Sequence, residues 1–101
     1  MLKHIVFFRM KAEADNRAGD QNQALLKERL EALPATIKEI RSFEVGDDVS
    51  RSPASWDLAL YSAFDSTEDL EAYRVHPDHQ AVVELVGRVT SERAVVDYWD
   101  R

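Results

Sequence analysis

Residues 2–11 (Leu2-Lys3-His4-Ile5-Val6-Phe7-Phe8-Arg9-Met10-Lys11) carry apolar side chains on both faces of an extended chain. β-Branched and aromatic types favour a strand here. Alternation puts Leu2, His4, Val6, Phe8 and Met10 on one face, and Lys3, Ile5, Phe7, Arg9 and Lys11 on the other. Such a strand belongs in a sheet covered on both sides. Residues 56–64 read the same way. Trp56, Leu58, Leu60, Ser62 and Phe64 share one face, and Ala59, Tyr61 and Ala63 the other. A last strand over 93–99 sets Arg93, Val95, Asp97 and Trp99 against Ala94, Val96 and Tyr98.

Between these strands the period changes. Residues 12–19 are polar, include Gly19, and read as a loop; Asp20 is the expected N-cap of the helix that follows. Leu26, Leu30, Leu33, Ile37 and Ile40 then form one apolar stripe at helical spacing. Pro34 should kink or split that helix. Residues 42–48 read as a short strand with Phe43 and Val45 on one face, followed by a polar loop containing Pro53. Ser66 with Asp69 approximates a capping box for a second helix. A further helical segment starts near Pro77, which suits a first turn, and Gly87 is expected to help end it.

The order is β-α-β-β-α-β, which predicts an α+β, ferredoxin-like fold with an antiparallel sheet, built as one domain over 1–101. In such a fold the helices cover one face. The other would expose Ile5, Phe7, Ala59, Tyr61, Ala63, Val96 and Tyr98, an apolar surface rarely left in water. A homodimer in which two sheets cover one another is the economical solution.

The chain is long enough for one core, and a 45% hydrophobic, 32% charged composition fits a globular protein. A net charge of −6 argues against a general nucleic-acid or anionic-membrane binder, since both demand a basic surface. With no cysteine, disulfides, thiolate catalysis and Cys-type zinc sites are excluded, which fits a reducing cytoplasm. The apolar part of the N-terminus is too short and interrupted for a signal peptide or a membrane span.

Chemistry concentrates in Tyr73 and the junction His76-Pro77-Asp78-His79, which hold two of the three histidines. Histidine exchanges a proton near neutral pH without a pKa shift. Proline stops a helix running through the segment, so the rings are presented at a helix junction where side chains can converge on a cavity. The same residues also have structural readings: His76 as the cap of the broken helix, Tyr73 as core, His4 as a satisfied core histidine. Pro77 between His76 and His79 spoils helical metal-ligand spacing, so no metal site is expected, and no residue pattern requires a cofactor.

Lys3-His4-Ile5-Val6 at the start, Tyr73 with His76-Pro77-Asp78-His79, and Val96-Asp97-Tyr98 at the end occur together in order. In this the chain resembles the stress-responsive A/B barrel domain family of dimeric α+β barrels. That family includes plant stress proteins, many bacterial proteins of unknown role and a polyketide cyclase that makes olivetolic acid. The resemblance implies a pocket between sheet and helices, with dimerisation through the other sheet face. It implies that Tyr73 and His79 do acid–base work, that Asp97 supports His79, and that His4 lines the pocket. On this reading Asp97 accepts a hydrogen bond from His79, and Tyr73 donates one to a developing enolate oxygen. Val6, Phe8, Phe43, Leu58 and Leu60 would form apolar walls, with His76 as a further contact. Gln23, Ala24 and Lys27 stand where the cyclase carries bulky aromatics, and Arg93 falls on the helix-facing side of its strand. This argues against a long alkyl polyketide, and a smaller or anionic ligand paired to Arg93 is an equally good hypothesis. The functions to weigh are proton transfer or cyclisation on a carbonyl compound, a non-catalytic stress-related binding dimer, and a cofactor-free or haem-dependent monooxygenase.

Overall fold

The computed structural model describes residues 1–100. Its main sheet joins β1 (Leu2–Met10), β4 (Ser42–Asp47), β5 (Leu58–Phe64) and β6 (Thr90–Trp99) in the order β4-β5-β1-β6. All three pairings are antiparallel, which gives the α+β, ferredoxin-like arrangement. β1, the strand with two apolar faces, lies in the interior of the sheet. Helices α1 (Gly19–Glu31), α2 (Thr67–Val75) and α3 (Pro77–Val89) cover one face. Leu2, Val6, Phe8, Leu58, Leu60 and Phe64 are buried on that side beneath Leu26, Leu30, Leu70 and Leu85. The registers Leu2↔Phe64, Val6↔Leu60 and Phe8↔Leu58 put the apolar residues of neighbouring strands side by side. Among the described residues no helix is long and apolar enough to cross a membrane.

Local departures from expectation have physical causes. Residues 12–19 are not all loop. They contain a small hairpin, β2 (Glu13–Ala14) and β3 (Arg17–Ala18), turned by Asp15 and Asn16 at φ 51° and 60°. Asp and Asn tolerate that left-handed geometry, which two-residue hairpins require. Gly19 follows because a Cβ there would stand 2.6 Å from the Lys11 carbonyl oxygen. Helix α1 therefore starts two residues early. Ala18 is its N-cap position, with the Ala18 N–H donating to Gln21 Oε1 at 2.9 Å, and Asp20 sits inside the first turn. There it still opposes the positive end of the helix dipole. Pro34 ends α1 by forcing a single 3₁₀ turn over Leu33–Ala35.

Trp56 was expected on the helix-facing side, and it is not there. Asp57 bends the chain just before β5, its N–H donating to the Phe8 carbonyl at 2.9 Å and its Oδ2 accepting from the Met10 N–H at 2.7 Å. The bend breaks the alternation. The Trp56 ring lies beside Phe7 (6.4 Å between centroids) under the Arg9 guanidinium (4.1 Å), on the outer face. Gly87 does not end α3 either; the helix runs two residues further, and Thr90 Oγ1 donates to the Val86 carbonyl at 2.7 Å.

On the outer face Ile5, Ala59 and Tyr61 are half-buried, and Phe7, Val96 and Tyr98 are 42%, 60% and 46% exposed. Ala63, expected to be bare, is buried.

Candidate functional site

The His-Pro junction is a pair of reciprocal helix ends. Ser66 starts α2 by accepting from the Asp69 N–H at 3.1 Å. Pro77 prevents α2 from continuing and becomes the first residue of α3. In an unbroken helix the Arg74 carbonyl would accept from the Asp78 N–H four residues on. Here the Asp78 N–H donates to His76 Nδ1 at 3.1 Å, so His76 is the N-cap of α3. The freed Arg74 carbonyl takes His79 Nδ1 at 3.0 Å and the Gln80 side-chain amide. Asp78 Oδ2 accepts from Thr36 Oγ1 at 2.6 Å, tying the start of α3 to the chain after α1. A carbonyl oxygen only accepts, so Nδ1 of His79 carries hydrogen and the neutral ring keeps its lone pair on Nε2.

The second imidazole is fixed differently. His4 on β1 stands directly opposite Asp97 on β6, and its Nδ1 donates to Asp97 Oδ1 at 2.5 Å. The expected bond from His79 to Asp97 is not formed. Asp97 is the cross-strand neighbour of His4, while His79 is held by the end of its own preceding helix. Ser62, the other cross-strand neighbour of His4, donates to the His4 carbonyl at 2.9 Å.

Tyr73 lies between the two rings. Its centroid is 4.2 Å from His79 and 6.0 Å from His4, and Phe64 packs behind it at 5.1 Å. The Tyr73 side chain is fully buried, yet its hydroxyl has no hydrogen-bond partner among the described residues. A buried hydroxyl without a partner is costly and calls for an explanation. Burial also raises its pKa, so the phenol keeps its proton.

These groups border a cavity of about 300 Å³ between the sheet and helices α2 and α3. His4, Tyr73, His79, Asp97 and Arg93 all line it, with Val6, Phe8 and Leu60 on the sheet wall. Phe43 does not reach it; that ring packs against Tyr73 at 6.3 Å. Leu58 is core below it, and His76 stays outside, its Nδ1 used in the cap. Gln23 and Lys27 point elsewhere, to a separate groove where both bond Asp47, at 2.9 and 3.1 Å. The wall from α1 is Leu30 instead. Sequence reasoning missed Arg74, which both lines the cavity and orients His79 through its carbonyl, and the α3 valines Val82, Val83 and Val86. The signal was present: a carbonyl three residues before a helix-breaking proline has lost its intrahelical donor.

Electrostatics separate the groups further. Burial lowers the His79 pKa, and His4, Arg74 and Arg93 disfavour its charge as well, against the opposing effect of the Arg74 carbonyl. His79 is therefore neutral at pH 7. Among the described residues no cluster of three or more His, Asp or Glu side chains could hold a metal ion.

The Stress Responsive A/B Barrel Domain family model matches residues 2–100. An uncharacterized protein of Streptomyces coelicolor is 34% identical over 86 residues, spanning 84% of this chain and 86% of that one. A dimeric protein of ferredoxin-like fold and unknown function from Bacteroides fragilis superposes with a TM-score of 0.77 at 38% identity, covering 96% of this chain and 93% of that one. The hydroxynitrile lyase of Passiflora edulis shares the fold, with a TM-score of 0.81 at 19% identity over 96% of this chain and 90% of that one. By its matched length and its relatives, the chain belongs to the stress responsive A/B barrel domain family.

Proposed function

We propose that the cavity binds a small carbonyl compound and moves a proton on it. One observation carries this reading. Two imidazoles, each with Nδ1–H committed to an acceptor, flank a buried phenol that has no partner among the described residues. The neutral ring of His79 then offers Nε2 as a base, and the phenol is a donor awaiting an oxygen. The step breaks a C–H bond next to the carbonyl. The proton goes to Nε2 of His79, and the bonding electrons form the C=C bond of an enolate. The enolate oxygen accepts a hydrogen bond from Tyr73, in a site where burial strengthens it. Asp97 holds the orientation and tautomer of His4, which returns or relays the proton. The fold is compatible with catalysis, since a hydroxynitrile lyase carries it.

The test is solvent deuterium uptake at the carbon next to the carbonyl of phenylpyruvate, followed by NMR. Wild-type protein should exceed buffer, and His79→Ala should remove about 10²–10⁴-fold of that rate with the melting temperature retained. Exchange no faster than buffer in the wild type, or unchanged by His79→Ala, would sink the reading.

We also propose that the protein is a homodimer through the outer sheet face. The exposed Phe7, Val96 and Tyr98 support this, as does the dimeric Bacteroides relative. Light scattering at micromolar concentration should give twice the monomer mass, and a compact monomer would refute it.

A further inference from the structure

The cavity is positive in a negative protein. Two guanidiniums, Arg74 and Arg93, line it against one carboxylate, Asp97, and that carboxylate is occupied by His4. The chain as a whole carries a net charge of −6. Arg93 sits on β6 opposite Phe8, at a position where alternation calls for an apolar residue facing the helices. Among the described residues it has no ion-pair or hydrogen-bond partner. The Arg9–Glu92 pair nearby, at 2.9 Å, satisfies the neighbouring acid instead. Arg74 has only a loose contact with Glu71 at 3.8 Å, on the outside of α2. Both arginines are solvent-exposed, as is Val95 beside Arg93, so they mark the side where the cavity opens to solvent between the end of α2 and the edge strand β6. The rest of the lining is mostly apolar and includes Tyr73, whose hydroxyl is buried.

From this arrangement we infer that the substrate is a carboxylate: Arg93, assisted by Arg74, holds its anionic end at the mouth while its carbonyl and apolar end reach Tyr73 and the valine wall. A guanidinium fork matches a carboxylate in two parallel hydrogen bonds. An excess of one positive charge suits a monoanion, and a positive cleft concentrates anions from solution. Both guanidiniums also act on His79, which places them within electrostatic reach of the base. The volume of about 300 Å³ suits a compact acid with one ring or a short branched chain.

This subsite rests on reading the cavity as a carbonyl-compound site, and two matched probes separate the claims. Phenylpyruvate and its neutral analogue phenylpyruvamide are titrated into wild-type, Arg93→Gln and Arg74→Gln proteins by calorimetry, with the His79 imidazole resonances followed by NMR. The acid should bind wild type about 10-fold more tightly than the amide. Arg93→Gln should erase that preference and leave amide affinity within about 2-fold, which also reports that the variant is folded; Arg74→Gln should weaken the acid less. Raising salt should weaken the acid and not the amide. Amide binding at His79 with no preference for the acid overturns the subsite alone, as does a preference that survives Arg93→Gln. Failure of both probes to shift His79 overturns the subsite and the cavity reading together.

Discussion

The two faces of the sheet are built from the same strands, one residue apart, and behave as different materials. On the helix side, Val6, Phe8, Leu60 and Phe64 are sealed, and the polar residues among them, His4 and Ser62, are each hydrogen-bonded. On the outer side, Phe7, Val96 and Tyr98 stand exposed, and the polar contacts are rim pairs such as Lys3 with Tyr61 and Asp100. A polar group on the first face is held in one orientation by its surroundings. On the second face apolar area is available for association. The proposed chemistry therefore uses the inner face and the proposed dimer the outer one.

Substitutions on each face should have effects of different kind. Phe64→Ala empties the space behind Tyr73 and should cost about 3–5 kcal/mol of stability in urea titrations, because the ring is fully buried. A loss below about 1 kcal/mol would mean the inner face is not the core. Val96→Asp, on the outer face, should leave the urea midpoint nearly unchanged and turn the dimer into a monomer by light scattering. If it unfolded the chain instead, the two faces would not be separable. Tyr73→Phe removes a buried hydroxyl with no partner among the described residues, so stability should hold or rise by up to about 1 kcal/mol, while deuterium uptake falls. A loss of stability would show that the hydroxyl has a structural bond.

The smallest effect is electrostatic. The folded-state pKa of His79 lies below the ordinary 6.5, so folding favours its neutral ring. As pH falls below 6.5 the unfolded chain takes up this proton first. The stability associated with His79 is thus present above 6.5 and lost as pH drops through the folded pKa. His79→Asn should flatten that part of the urea-midpoint profile relative to wild type. The acid limb of kcat/KM should likewise lie below 6.5 if His79 is the base.

Strand faces are legible in the chain wherever alternation is uninterrupted, as in β1 and β6. They fail at Trp56, where Asp57 bonds to β1 and turns the chain before the ladder begins. Alternation places His4 and Asp97 on one face but does not say that they are opposite. That depends on the register of two strands more than eighty residues apart, and so Asp97 was matched to His79. The capping role of His76 was readable because it depends only on neighbours in sequence. The part of Arg74 in holding His79 is a backbone carbonyl, so its mark lies in the spacing to Pro77 and not in residue type.

Two imidazoles at one cavity are anchored by acceptors that respond differently to their surroundings. The hold on His4 comes from a side-chain carboxylate, which can be deleted by one substitution. The hold on His79 comes from the main chain, which has no charge to lose and no side chain to replace. The placement of one hydrogen at the site thus persists through changes of acidity, salt and sequence at position 74. It depends instead on the continued presence of Pro77, a residue that itself bonds to neither ring.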